Sequence, residues 1–218
     1  MRLQRSTGLV GHWKFNEKSG ITANDSSRYR NTGTLTGASH LPIWSDKGIK
    51  FDGVDDYVDA GNNASFTNLN QITISAWINP KSLHNGSNSK MFIGKFQADS
   101  DFYIGSTYLA DTININFNTN NGNFNYNSNT PLLMNTWYLI SVVYNGSTIS
   151  IYRNGIIDIT PQPMTGIVNA LYKLYIGKIT DGNLYNWDGS IDEVRIYNRA
   201  LSASEIKQYY DSTKHNYI

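Results

Sequence analysis

Two Asn-Gly dipeptides, Asn145-Gly146 and Asn154-Gly155, punctuate the most hydrophobic region of the chain. Both residue types accept positive φ, and a short Asn-Gly loop matches the right-handed twist of paired strands. The segments they separate, WYLISVVY and STISIYR, must therefore fold back on each other. A strand meander is expected there.

Alternation extends the pattern on both sides. Ile72, Ile74 and Ala76 alternate with Thr73, Ser75 and Trp77, and ININFN sets Ile113, Ile115 and Phe117 against Asn114, Asn116 and Asn118. Period two of this kind marks half-buried antiparallel strands. Further short strands fit LVGHWKF, GIKF, YVDA, KMFIGKF, DFYIGS, NFNY, KLYIG and DEVRIYN. The Asn-rich tract from Asn114 to Asn129 resembles a low-complexity segment, but its alternating Ile and Phe argue for a sheet strand. One helix is expected from Ser202 to near Tyr210, where SASE supplies a capping box between Ser202 and Glu205. The fold class is all-β: a two-sheet antiparallel sandwich of jelly-roll type with one short C-terminal helix. With no linker and no tandem repeat, residues 1–218 read as a single domain with a core over about 8–210.

Charge and composition exclude several functions. Eighteen basic and 17 acidic side chains leave +1, with no Lys/Arg stripe for tracking phosphates, so nucleic acid is not an expected partner. The absence of cysteine removes disulfides, thiolate metal sites and thiol nucleophiles. No segment approaches the ~18 apolar residues of a membrane helix, and no apolar run follows the first arginines. The chain is expected to be soluble, without membrane insertion and without a signal peptide.

Taken in order, GLVGHWKFNEKSG, NDSSRYRNTGTL, GIKFDGVDDYVDAG, ITISAWINP, NTWYLISVVYNGSTISIYRNG, LYIGK and GSIDEVRIYNRALSASEI resemble the LamG-like jelly-roll domains of the concanavalin A-like lectin/glucanase superfamily. The resemblance implies two facing antiparallel sheets, with the first strand, around Trp13 and Phe15, beside the last, around Val194 and Ile196. It also implies a glycan- or protein-binding role, often with calcium.

The stretch FDGVDDYVDA holds Asp52, Asp55, Asp56 and Asp59. Their spacing does not follow an EF-hand loop, and Asp and Gly of this arrangement turn the chain readily, so the stretch reads as a strand-turn-strand corner rather than a metal site. A glycoside hydrolase on this sandwich needs acidic residues at i, i+2 and i+4, so that all reach one face. SIDEV instead puts Asp192 and Glu193 on opposite faces of a regular strand, and no catalytic residues are assigned. His12, His40, His84 and His215 lack ligand spacing and read as surface or edge residues.

Calcium is the candidate cofactor. One candidate site joins the chain ends through Asn16, Asp25 and Asp192, against the plainer reading that Asp25 and Asn31 cap an Asx turn while Asp192 bonds backbone. Pentraxin-like relatives suggest a second, at the rim, through Asp99, Asp101 and Asp181. For stacking on sugars the candidates are Trp44, Tyr108, Phe124, Tyr126 and Tyr185, which lie in or beside polar loops, while Trp13, Trp77, Trp137 and Trp187 read as core. Four N-x-S/T sequons, at Asn24, Asn63, Asn85 and Asn145, are near chance in so Asn-, Ser- and Thr-rich a chain.

The expected function is non-catalytic recognition, with a glycan as the first partner and a surface protein as the second. The alternative is a structural decoration or adhesion protein of a phage virion or cell surface, making capsid or homo-oligomer contacts. An extracellular or virion-surface location follows from either.

Overall fold

A computed structural model describes residues 7–86, 88–97, 100–168, 172–179 and 185–218; the side chains of 96, 97, 100 and 101 are not described. Among these residues the strands form two antiparallel sheets. The eight-stranded sheet runs Ile156–Pro163, Thr148–Arg153, Tyr138–Tyr144, Ile72–Pro80, Asp188–Tyr197, Ile49–Asp52 and Ile43–Trp44, with Leu9–Trp13 also paired to Asp188–Tyr197. The nine-stranded sheet runs Gly122–Asn127, Ile113–Thr119, Ser100–Ser106, Asn88–Gln97, Tyr175–Ile176, Tyr57–Asp59, Gly33–Thr36 and Thr22–Ala23, with His84–Asn85 on Asn88–Gln97. The expected jelly-roll sandwich is thus present, and Trp13 pairs with Val194, joining first strand to last.

Both Asn-Gly turns form as expected. Arg153 pairs with Ile156 across Asn154 and Gly155, whose φ values are 53° and 79°. In the other hairpin Tyr144 pairs with Ile149, and Asn145 Oδ1 accepts from the backbone of Ser147 (3.0 Å) and Thr148 (2.8 Å). The side chain thereby supplies acceptors that a three-residue loop lacks.

The Asn-rich tract is a hairpin, Ile113–Thr119 with Gly122–Asn127. Ile113, Ile115 and Phe117 are buried in the core. On the opposite face Asn114 Nδ2 donates to Asn125 Oδ1 (2.9 Å) and Asn127 Oδ1 (2.7 Å), and Asn116 Nδ2 to Asn123 Oδ1 (2.7 Å). Cross-strand pairs of this kind contribute about 0.2–1 kcal/mol each. The tract therefore gains a buried face and a cross-linked polar one.

The strand Ile72–Pro80 is buried on both faces, which alternation alone did not indicate. Ile72, Ile74, Ala76 and Ile78 enter the inter-sheet core, while Trp77 and Leu139 lie under Tyr209 and Tyr217. Helix α1 (Ala203–Thr213) provides that cover, and the capping box forms as expected, with Ser202 Oγ accepting from Glu205 N. Beyond it, Tyr217 stacks on Trp77 at 4.0 Å between ring centroids.

Candidate functional site

Three core strands lie side by side in the eight-stranded sheet, and each sends one polar residue to the outer face just beyond the reach of α1. Lys50 lies between Ile49 and Phe51, Asn79 follows Ile78, and Ser190 precedes Ile191; the four apolar neighbours are core residues. The register pairs Ser190 with Lys50 on one side and with Asn79 on the other, so the three form a row across the sheet. Trp137 extends it, being one residue before the Tyr138 that pairs with Ile78.

This row floors a groove. One cleft of about 630 Å³ is lined by Trp44, Asp46, Lys47, Lys50, Asn79, Trp137 and Ser190. A second, of about 340 Å³, shares Lys50, Asn79 and Ser190 and continues past Lys81 and Asn135 to Asp52 and Asp56. Trp44 is half-buried and its indole N–H donates to Gly20 O at 2.7 Å, which holds the ring in place. Trp137 is half-buried against Tyr217, 4.9 Å between centroids. Two anchored indoles beside ammonium, amide and hydroxyl groups combine apolar stacking surface with hydrogen bonding.

Of the stacking candidates, Trp44 borders this groove, although it pairs with core Ile49 and packs partly on the core. Tyr108 is exposed in a loop elsewhere, and Tyr185 is half-buried, with its backbone carbonyl accepting from Met91 N at 2.9 Å. Phe124 and Tyr126 face inward: they pair with Phe117 and Ile115, pack on the core, and Tyr126 Oη donates to Pro163 O at 2.5 Å. Both are half-buried, as Trp44 is, and share its partial packing on the core. Trp137, read as core from its place in WYLISVVY, instead lines the groove. It lies on the face of Leu139 and packs against the cluster of Trp77, Leu139, Tyr209 and Tyr217, half-buried at its margin. Asp99 and Asp181 lie outside the described residues; Asp101 is in strand Ser100–Ser106, but its side chain is not described.

The terminal calcium set is not assembled. Asn16 is exposed. The Asp25 carboxylate accepts from His12 N, Ser27 N, Ser27 Oγ and Asn31 N, all at 2.7 Å, which is the Asx-turn arrangement. Asp192 accepts from Glu193 N (2.8 Å) and Tyr217 Oη (2.7 Å) and shares no partner with Asp25. Protein donors occupy both carboxylates.

The expectation that Asp192 and Glu193 face opposite ways also fails, because the register shifts between Asp192 and Arg195 and Glu193 takes φ 50°. Both carboxylates come under the C-terminal segment. Glu193 meets His12 Nε2 (2.8 Å), Arg195 Nη2 (2.7 Å) and Tyr209 Oη (3.3 Å). His12 is consequently a buried member of an ion-pair group, not an edge residue, and burial lowers its pKa. Burial pushes Asp192 up to about 7, whereas Glu193 is held down at about 2: the His12 hydrogen bond and the Arg195 charge outweigh the opposing effect of burial. Such a divided pair suits acid/base chemistry. Here both members are spent on protein partners, and the nearby cavity beside Arg195 and Tyr209, about 40 Å³, is too small for a sugar ring.

The corner in FDGVDDYVDA is a turn, with Gly53 at φ 78° and Asp52 Oδ1 accepting from Val54 N at 2.8 Å. The same turn gathers Asp52, Asp55 and Asp56, each with a carboxylate oxygen within 4.8 Å of the others. Asp55 and Asp56 are buried, and burial, then Asp52 and Asp55, raises Asp56 to about 6. All donors are hard oxygens, a set that fits calcium.

Comparisons with known structures agree with the architecture. The binding domain of paraclostridial mosquitocidal protein 1 superposes with a TM-score of 0.74 at 15% identity, covering 94% of this chain and 52% of that one. Domain 4 of AbnA, an extracellular arabinanase from Geobacillus stearothermophilus solved with arabinotriose, gives 0.69 at 18%, covering 93% and 98%. The botulinum neurotoxin serotype D ligand-binding domain, in complex with N-acetylneuraminic acid, gives 0.73 at 16%, covering 94% and 51%. The chain thus spans about half the length of the two toxin domains and nearly all of the arabinanase domain. No curated protein matches it in sequence. Residues 52–207 match a family model, Laminin_G_3, and the chain accordingly belongs to the concanavalin A-like lectin/glucanases superfamily.

Proposed function

We propose that the protein is a non-catalytic, extracellular recognition domain that binds carbohydrate in the groove between Trp44 and Trp137. One observation carries the reading: the row Lys50–Ser190–Asn79 forms a polar floor in register, with Trp137 at one side and the half-buried Trp44 bordering the cleft at the other. Sugars present C–H faces that stack on such rings and hydroxyls that bond amide, hydroxyl and ammonium groups. Structural neighbours solved with arabinotriose and N-acetylneuraminic acid support a sugar ligand in general terms. They do not choose the glycan.

A glycan array with purified protein tests the proposal, with Trp44→Ala measured beside it. Wild type is expected to give a defined set of hits, and the variant to lose at least about tenfold in affinity, on the order of the 1–3 kcal/mol that ring stacking contributes. Unaltered hits with Trp44→Ala would place the binding surface elsewhere. A blank array for folded wild type would favour the protein-contacting alternative, an adhesion or virion decoration role, and chemical crosslinking would then seek the partner.

A further inference from the structure

The acidic corner poses an electrostatic problem that the turn alone does not solve. Asp55 and Asp56 are 7% and 2% exposed. One oxygen of each is satisfied: Asp55 Oδ2 accepts from Ser39 N (3.0 Å) and Ser39 Oγ (2.9 Å), and Asp56 Oδ2 accepts from Asp52 N (3.0 Å). The other oxygen of each, Oδ1, is buried without a hydrogen-bond partner among the described residues. A buried carboxylate oxygen left unbonded is costly, and two beside a third carboxylate are more so.

Protein cations act on the cluster only from a distance: the charge of Lys90 is felt at Asp52 and that of His40 at Asp56. Among the described residues, no Lys, Arg or His forms an ion pair with any of the three. Lys90, nearby, donates instead to Gly53 O at 3.2 Å.

The cleft of about 340 Å³ reaches Asp52 and Asp56 at this corner. A Cβ placed on Gly37 would stand 1.7 Å from the His40 carbonyl oxygen and 2.8 Å from Asp56 Oδ1. A side chain at Gly37 has no room, and the two oxygens, both acceptors, lie no more than about 4.5 Å (1.7 + 2.8 Å) apart. We infer that this corner is a calcium site, with Asp52, Asp55, Asp56 and the His40 carbonyl as its protein ligands and water in the remaining positions.

The size and chemistry select the ion. Ligands on opposite sides of calcium, at ~2.3–2.6 Å each, stand about 5 Å apart, and the three carboxylate oxygens lie within 4.8 Å of one another. Magnesium requires a tighter, near-octahedral shell, and zinc or copper favour nitrogen and sulfur ligands, which this set lacks. The ion would fasten the 37–40 loop to the turn between strands Ile49–Asp52 and Tyr57–Asp59. It stands independently of whether the groove takes a sugar.

The test is calorimetric titration of CaCl2 into chelator-stripped protein, paired with melting in calcium and in EDTA. Wild type should bind one calcium with Kd between about 10⁻⁶ and 10⁻³ M and melt higher in calcium than in EDTA. Asp56→Asn should lose the calcium increment while melting in EDTA at or above wild type, since it removes a buried like charge and keeps an acceptor for Asp52 N. A residue serving only the turn would not show that reversal. Asp52→Asn, at an exposed position, provides a second variant that retains the buried pair and should weaken calcium at least tenfold. No binding heat and equal melting in both conditions for folded wild type would overturn the inference. So would wild-type calcium affinity in both folded variants.

Discussion

Glu193 takes a left-handed backbone conformation within a strand, and the consequence is felt at its neighbour. The bulge brings Asp192 under Tyr217, where burial raises its pKa from 3.8 to about 7. The folded state therefore holds a proton that the unfolded chain releases, so this contribution to stability falls as pH rises from about 4 to about 7 and then levels off. Asp192→Asn mimics the protonated form. It should melt above wild type at pH 8, by on the order of 2 kcal/mol or ~4–8 °C, and the gap should narrow as pH falls and close near pH 4. Melting curves across that range check it; a gap that stays constant with pH would refute the assignment. Little of this was legible in SIDEV, because strict alternation assigns opposite faces and a bulge has no reliable signature in one sequence. Trp137 shares the parity of buried Leu139, so only its position at the end of the strand, at the margin of the cover that the C-terminal segment provides, leaves it half-exposed.

Elements were more legible than their covers. The Asn-Gly turns and the Ser202 capping box carry local chemistry, and all three formed where that chemistry requires. The segment after α1 was not legible, because its partners are distant in sequence: Tyr217 meets Trp77 and Asp192. Phe124 and Tyr126 are legible as part of the strand NFNY, but only the pairing with Ile113–Thr119 reveals which way their side chains turn. The tail has a measurable role. Tyr217→Ala should cost about 3 kcal/mol by uncovering Trp77 and removing the hydroxyl on Asp192, with a change in tryptophan emission in the folded state. Chemical denaturation followed by fluorescence measures both; a loss under ~1 kcal/mol would mean that the tail only rests on the sheet.

At the scale of the whole molecule, sequence patterning reached the all-β sandwich class and the resemblance to LamG-like domains supplied the joining of first strand to last, but neither reached the groove. The row Lys50–Ser190–Asn79 combines residues from strands far apart in the chain, and only the sheet register makes them neighbours. The acidic corner was visible as a motif, yet its burial and its facing carbonyl were not. The central claim is that a glycan lies between Trp44 and Trp137, and the chain has five tryptophans with which to test it. Each indole N–H gives its own signal in a ¹H–¹⁵N correlation spectrum, so titrating a glycan hit into labelled protein reports on all five together. The account predicts that the Trp44 and Trp137 signals move in a saturable way while those of the fully buried Trp13, Trp77 and Trp187 stay in place. Saturable binding that leaves Trp44 and Trp137 unmoved would contradict it.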